Sequence, residues 1–122
     1  MTVGQILDGG GKKLSKDEVL KLVSGAYMSG TQGGRFPNIT FRNLYAPNGS
    51  ADGEAWNKGV PYGKVTGTWL VNDQGQFCPD LTNARGHKVT SPCAYYFSIG
   101  DRYYTSVTDD RTAFAIERKF SR

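Results

Sequence analysis

Lys64-Val-Thr-Gly-Thr-Trp-Leu-Val-Asn72, Asp73-Gln-Gly75 and Gln76-Phe-Cys78, followed after a polar loop by Cys93-Ala-Tyr-Tyr-Phe-Ser98, Ile99-Gly-Asp101 and Arg102-Tyr-Tyr-Thr-Ser-Val107, decide the fold. The stretch reads as four strands joined by turn chemistry. Val65, Gly67, Trp69 and Val71 fall on one face and Thr66, Thr68 and Leu70 on the other, the period of two that a half-buried strand imposes. A glycine two residues before the tryptophan leaves room for the indole or for a neighbouring backbone. Asp73-Gln-Gly75 is a three-residue hairpin connection with glycine at the left-handed position. Beyond the polar loop, Cys93, Tyr95 and Phe97 share a face, with Ala94 and Tyr96 opposite. One cysteine lies in the second strand and one in the third. The expectation is an antiparallel meander pinned by a Cys78–Cys93 disulfide.

Upstream, residues 36–45 alternate as Ile39, Phe41 and Tyr45 against Thr40 and Arg42, with Leu44 as an exception. A short strand at residues 26–30 and a turn at residues 31–34 precede them. Ala46-Pro-Asn-Gly49 is a turn in which Pro47 presets φ and Asn48-Gly49 tolerates positive φ. A strand returns through residues 50–56. Downstream, Thr108-Asp-Asp-Arg111 turns the chain into a last strand at residues 112–120, where Phe114, Ile116 and Phe120 alternate against Ala113, Ala115, Glu117 and Lys119. Turn signals recur roughly every eight to fifteen residues, the spacing of a sandwich or barrel rather than of β-α-β units.

One helix is signalled, over residues 16–24. Ser15 and Glu18 have the spacing of a capping box, Leu14 and Val19 that of a hydrophobic staple. Val19, Leu20, Leu22 and Val23 form an apolar stripe, Gly25 suits a C-terminal cap, and Asp17 and Glu18 sit at the favourable end of the helix dipole. A helix of about nine residues is marginal alone, so it must pack on the sheet. Residues 1–13, with Gly9-Gly-Gly11, read as a flexible leader. Residues 79–92 read as a long polar loop bounded by prolines, a length that is often functional or mobile.

The 122 residues suffice for one domain, here residues 14–122, which buries about 65% of its unfolded surface. Sixteen glycines, six phenylalanines and seven tyrosines favour an all-β fold rich in turns. A net charge of +4 without a basic cluster is too weak to argue for nucleic acid. No apolar run approaches the roughly eighteen residues of a membrane span. Met1-Thr-Val-Gly-Gln5 lacks the basic start and apolar core of an export signal. The chain is therefore either cytosolic or a mature form that has lost such a signal. The cysteine pair, better explained in an oxidising compartment, favours the second.

Few residues point to chemistry. Cys78 and Cys93 form a disulfide between neighbouring strands or stay as reduced, buried thiols. Zinc would need two more ligands, and His87 is the only histidine. His87 lies in the long loop without the flanks of a known triad, and reads as a solvated side chain or a general base. Asp52, Glu54, Asp73, Asp80, Asp101 and the Asp109-Asp110 pair lie in turns or at strand ends, and nothing selects a catalytic pair among them. The tyrosines say more. Tyr95-Tyr96 and Tyr103-Tyr104 lie on adjacent strands, so one of each pair faces outward or into a barrel mouth. Arg42, Tyr62, Tyr96, Arg102 and Tyr104 are the candidate ligand-binding residues; the competing reading is aromatic pairing that merely stabilises the sheet.

Leu14-Ser-x-x-Glu18 with its helix ending in Ser24-Gly25, then Tyr45-Ala-Pro-Asn-Gly49, Gly67-Thr-Trp69, Phe77-Cys78 and Cys93-Ala-Tyr95, resembles small exported bacterial proteins of unknown function that carry a helix and a lipocalin-like antiparallel barrel. The likeness spans residues 14–120. It implies that the two cysteines bond and brings no catalytic residue with it. Asn48 stands where the pattern has aspartate, which a turn position tolerates.

The expected molecule is thus a mainly β domain of about six to eight antiparallel strands in a small barrel or strongly curved sheet, with one N-terminal helix over an opening or edge. The expected function is a non-enzymatic binding or protein-interaction module, monomeric, of the periplasm or extracellular space. It uses no cofactor or metal, and its ligand is a small apolar molecule, a glycan or a protein partner. The alternative is a small hydrolase or isomerase using loop carboxylates and His87. A weaker third reading is single-stranded nucleic-acid binding through Arg42, Arg102 and the tyrosines.

Overall fold

The computed structural model describes residues 1–33, 36–89 and 92–122. Its elements run α1 (Val3–Asp8), β1 (Lys12–Lys13), α2 (Lys16–Val23), β2 (Ala26–Gly33), β3 (Phe36–Tyr45), β4 (Ser50–Asn57), β5 (Val60–Val71), β6 (Phe77–Asn83), β7 (Tyr95–Ile99), β8 (Arg102–Ser106) and β9 (Ile116–Ser121). The nine strands form one antiparallel, strongly curled sheet, a half-barrel, in the order β1-β7-β8-β9-β2-β3-β4-β5-β6.

The curl brings β6 back towards β7. Phe77 and Ala94 form an isolated antiparallel bridge, with N–H···O distances of 2.8 and 3.0 Å in the two directions. The Cys78–Cys93 disulfide flanks that bridge, with Cα atoms 4.3 Å apart. Cys78 alternates with the inward Phe77 and Pro79, so the disulfide lies on the outer side of the wall. Further along the same edge, β1 pairs with β7 through Lys12–Ser98 and Lys13–Phe97.

The alternation read in the sequence carries through β5: Trp69 and Val71 are buried and Val65 half-buried, while Thr66, Thr68 and Leu70 face water. The glycine before the tryptophan admits a backbone rather than the indole, for a Cβ on Gly67 would lie 2.0 Å from the Asp80 carbonyl oxygen. Trp69 Nε1 donates instead to the Ala46 carbonyl at 2.9 Å. Gly75 has φ +82° in the β5–β6 connection, as the hairpin reading required.

Both signals of the capping box at α2 are realised: Ser15 Oγ accepts from the Glu18 N–H, and the Glu18 carboxylate accepts from the Ser15 N–H. Leu14, Val19 and Val23 then enter one core with Met28, Tyr45, Ala51, Trp69, Val71, Phe77, Leu81 and Tyr96. The helix closes one end of the half-barrel by packing against this aromatic floor, in which Tyr45, Trp69, Phe77, Tyr96 and Phe120 meet mostly edge to face.

Several expectations need correction. Residues 1–13 are not a free leader. Thr2 and Gln5 make a second capping box, α1 follows, and Val3 and Ile6 are fully buried with Phe97, Tyr104 and Ala115. The Val3 N–H donates to the Ala113 carbonyl and the Ala115 N–H to that of Met1, which ties the segment down. The described residues accordingly hold two helices, and the sheet is buried on both faces at β7 and β8. One tyrosine of each Tyr-Tyr pair therefore enters the inner core and the other the α1 side, rather than facing water. The region at residues 79–92 is less of a loop than expected: β6 runs to Asn83, a turn follows, and Thr82 bridges to Lys88. The last strand begins at Ile116, not at residue 112. Gly34 of the turn read at residues 31–34, and residues 90–91 of the expected loop, lie outside the described residues; residues 31–33 are strand.

Candidate functional site

Inward side chains above the aromatic floor leave a cavity of about 910 Å³. Along β3, β6 and β9 every second residue borders it: Ile39, Phe41, Asn43 and Tyr45 from β3, Leu81 and Asn83 from β6, and Ile116 and Arg118 from β9. Volumes of roughly 300–1,000 Å³ are usual for small-molecule sites.

The wall is mostly apolar with a small polar group near the floor. Arg118 lies half-buried over Gly30, where a Cβ would come within 2.8 Å of its Nη1. Its Nη1 donates to the carbonyls of Thr31 at 2.9 Å and Glu117 at 3.2 Å, and the guanidinium stands 4.9 Å from the centre of the Phe41 ring. No carboxylate pairs with it among the described residues. Asn43, only 7% exposed, donates from Nδ2 to the Tyr45 hydroxyl at 3.1 Å. Its Oδ1 is buried with no partner among the described residues and lies in the space that a Gly53 side chain would fill. The Tyr96 hydroxyl donates to the soft Met28 sulfur at 3.4 Å and lies near the Thr105 side chain.

Burial sets the charge states. It lowers the Arg118 pKa. It raises the pKa of Tyr45 and of Tyr96, so both phenols stay neutral. Arginine remains protonated despite the shift because its ordinary pKa is so high. The cavity therefore holds one half-buried positive charge, neutral hydroxyls and an unmet acceptor, surrounded by apolar wall.

The five residues singled out in the sequence are not one site. Tyr62 lines the cavity and is 61% exposed; Tyr96 lines it near the floor. Arg42 faces outward, with its guanidinium 3.8 Å from the centre of the Tyr27 ring, in a shallow outer groove shared with Asp52, Glu54 and Lys64. Arg102 is exposed on β8, separated from Arg42 by β9 and β2. Tyr104 packs under α1. His87 and Glu54 both border the cavity, but no ion pair joins them among the described residues, and it is the His87 backbone that bonds to Asn83.

Arg118 and Asn43 escaped the sequence reading, although the signal was present. Both have the parity of their inward neighbours: Asn43 sits between Phe41 and Tyr45, and Arg118 between Ile116 and Phe120. A polar side chain in the middle of an apolar alternation is the mark of a buried polar group.

Among the described residues no group of three or more His, Cys, Asp or Glu is placed to hold a metal ion, and no helix is long and apolar enough to cross a membrane. No protein-family model, curated protein or solved structure matches the chain.

Proposed function

We propose that this protein is a non-enzymatic binding protein that works in the periplasm or outside the cell and holds a small molecule with an apolar body inside its half-barrel. The observation that carries the reading is the cavity of about 910 Å³, walled by aliphatic and aromatic side chains with a few convergent polar groups. The Cys78–Cys93 disulfide supports the compartment, since such bonds persist where the surroundings are oxidising.

The test is titration with the neutral, polarity-sensitive dye N-phenyl-1-naphthylamine, alongside native mass spectrometry of the purified protein for a retained small molecule. Saturable fluorescence enhancement is expected, and Val65→Trp, which puts an indole on the cavity wall, should abolish it while leaving the circular dichroism unchanged. Dye binding that survives in Val65→Trp, or none in the parent protein, would remove the reading.

A second reading, a hydrolase or isomerase, rests on His87 bordering the cavity, with Glu54 at its edge on a strand position whose side chain shares the outer face with Arg42. It requires a substrate whose turnover fails in both Glu54→Gln and His87→Gln; turnover of an ester panel that is insensitive to both changes would end it.

A further inference from the structure

The polar group inside the cavity has a pattern that specifies more than an apolar ligand. Arg118 is the cationic group near the floor; Lys64 and Arg85, which also border the cavity, are exposed to water. Two of its three nitrogens, Nε and Nη2, have no acceptor among the described residues. A charge held in a part-apolar site without a counter-charge is costly, and an anion bound there would offset that cost. Asn43 adds an independent demand: its buried Oδ1 accepts from nothing and asks for a donor. The cavity is also bordered by exposed apolar side chains, Val89, Val107 and Phe114 at 43%, 55% and 70%, beside the exposed Lys64, Arg85 and His87. A polar group just above the aromatic floor suits a molecule whose head reaches Arg118 and whose apolar part lies along the wall.

We infer that the cavity takes a monoanionic amphiphile, a carboxylate on an apolar body, whose head sits on Arg118 and whose neighbouring hydroxyl or N–H donates to Asn43 Oδ1. The inference rests on the proposal above that the cavity is a ligand site. A single guanidinium matches one negative charge, and its planar fork matches the two oxygens of a carboxylate. Gly30 and Gly53 belong to the same design, because side chains there would occupy the positions taken by the guanidinium and the amide.

The experiment is displacement of N-phenyl-1-naphthylamine by decanol, decanoate, 3-hydroxydecanoate and decyltrimethylammonium, on the parent protein and on Arg118→Met and Asn43→Leu. On the parent, decanoate should displace the dye at a concentration roughly tenfold or more below decanol, and 3-hydroxydecanoate about threefold below decanoate. Arg118→Met should erase the preference for acid over alcohol and leave decanol unchanged. Asn43→Leu should erase only the preference for the hydroxy acid. Equal displacement by decanol and decanoate on the parent protein overturns the inference but leaves the cavity reading standing, and needs no variant to fold. An acid preference that persists in Arg118→Met overturns the role of Arg118. The absence of a hydroxy-acid preference overturns that of Asn43. If no decyl compound displaces the dye, this inference falls, while the cavity reading rests on the binding of the dye itself.

Discussion

Gly67 stands on β5 opposite Leu81, and the Asp80 carbonyl oxygen occupies the space where any other residue would carry its Cβ. Gly67→Ala must push β5 and β6 apart or tilt the Asp80 peptide. The expected cost is about 1–3 kcal/mol, the usual range for overpacking, read as a lower urea midpoint with an unchanged slope. An unmoved midpoint would mean that the wall yields freely at this point. The sequence announced that something must approach this glycine; it did not say what. The same holds for Arg118. Its parity placed it on the inward face, but the composition of a single strand cannot say whether a cation there meets a carboxylate, water or an apolar wall. That depends on what Gly30 and Phe41 bring up from β2 and β3.

At the scale of elements, α2 was fully legible because each of its signals is local. Ser15, Glu18, Leu14 and Val19 lie within six consecutive residues, and no distant partner is needed to recognise them. Glu18 also shows what the cap does to a titration. The Lys12 ammonium and then the Ser15 N–H hold its carboxyl well below the ordinary 4.5, at about 2. A depressed carboxylate pKa means that the ionised form stabilises the fold: the contribution is full above the ordinary value and is lost as the pH falls towards 2. Thermal melts at about pH 5 and about pH 2.5 should show a larger drop in Tm for the parent than for Glu18→Gln. Equal drops would mean that the Lys12–Glu18 pair does not act in solution.

The other helix was missed for a stated physical reason. Thr2-Val-Gly-Gln5 has the same Ser/Thr-x-x-Glu/Gln spacing as the box at Ser15, but Gly4 within it and Gly9-Gly-Gly11 after it argue against a helix that must stand alone. The helix does not stand alone. Val3 and Ile6 are buried against Phe97, Tyr104 and Ala115, and this packing outweighs the weak local propensity. Ile6→Ala should therefore cost about 2–5 kcal/mol in urea unfolding, as for other core truncations. A free leader would give no change.

At the scale of the whole molecule, the disulfide joins the two parts of the sheet that lack a continuous ladder between them. Beyond the single Phe77–Ala94 bridge, the described residues pair β6 with β5 and β7 with β8 and β1. By the chain-entropy account, a cross-link spanning 15 residues contributes about 3 kcal/mol. The Cys78→Ser/Cys93→Ser double variant should unfold at a correspondingly lower urea concentration. It should also bind the dye more weakly if the seam helps to hold the cavity wall. A variant with unchanged stability would show that the bridge and α2 hold the seam without it.

The sequence alone determined the antiparallel strands, the inward face of β5, the capped α2 and the candidate cysteine pair. All of these rest on period, spacing or turn chemistry, which act over a few residues or repeat along one strand. Only the tertiary structure decided that α1 covers the outer face of β7 and β8, that the sheet curls far enough to form a cavity, and that Arg118 reaches it without a carboxylate partner, and Asn43 Oδ1 without a donor, among the described residues. Those outcomes depend on which strands become neighbours and on how much volume their side chains leave between them. Both are sums over residues far apart in the chain, and no local pattern carries them.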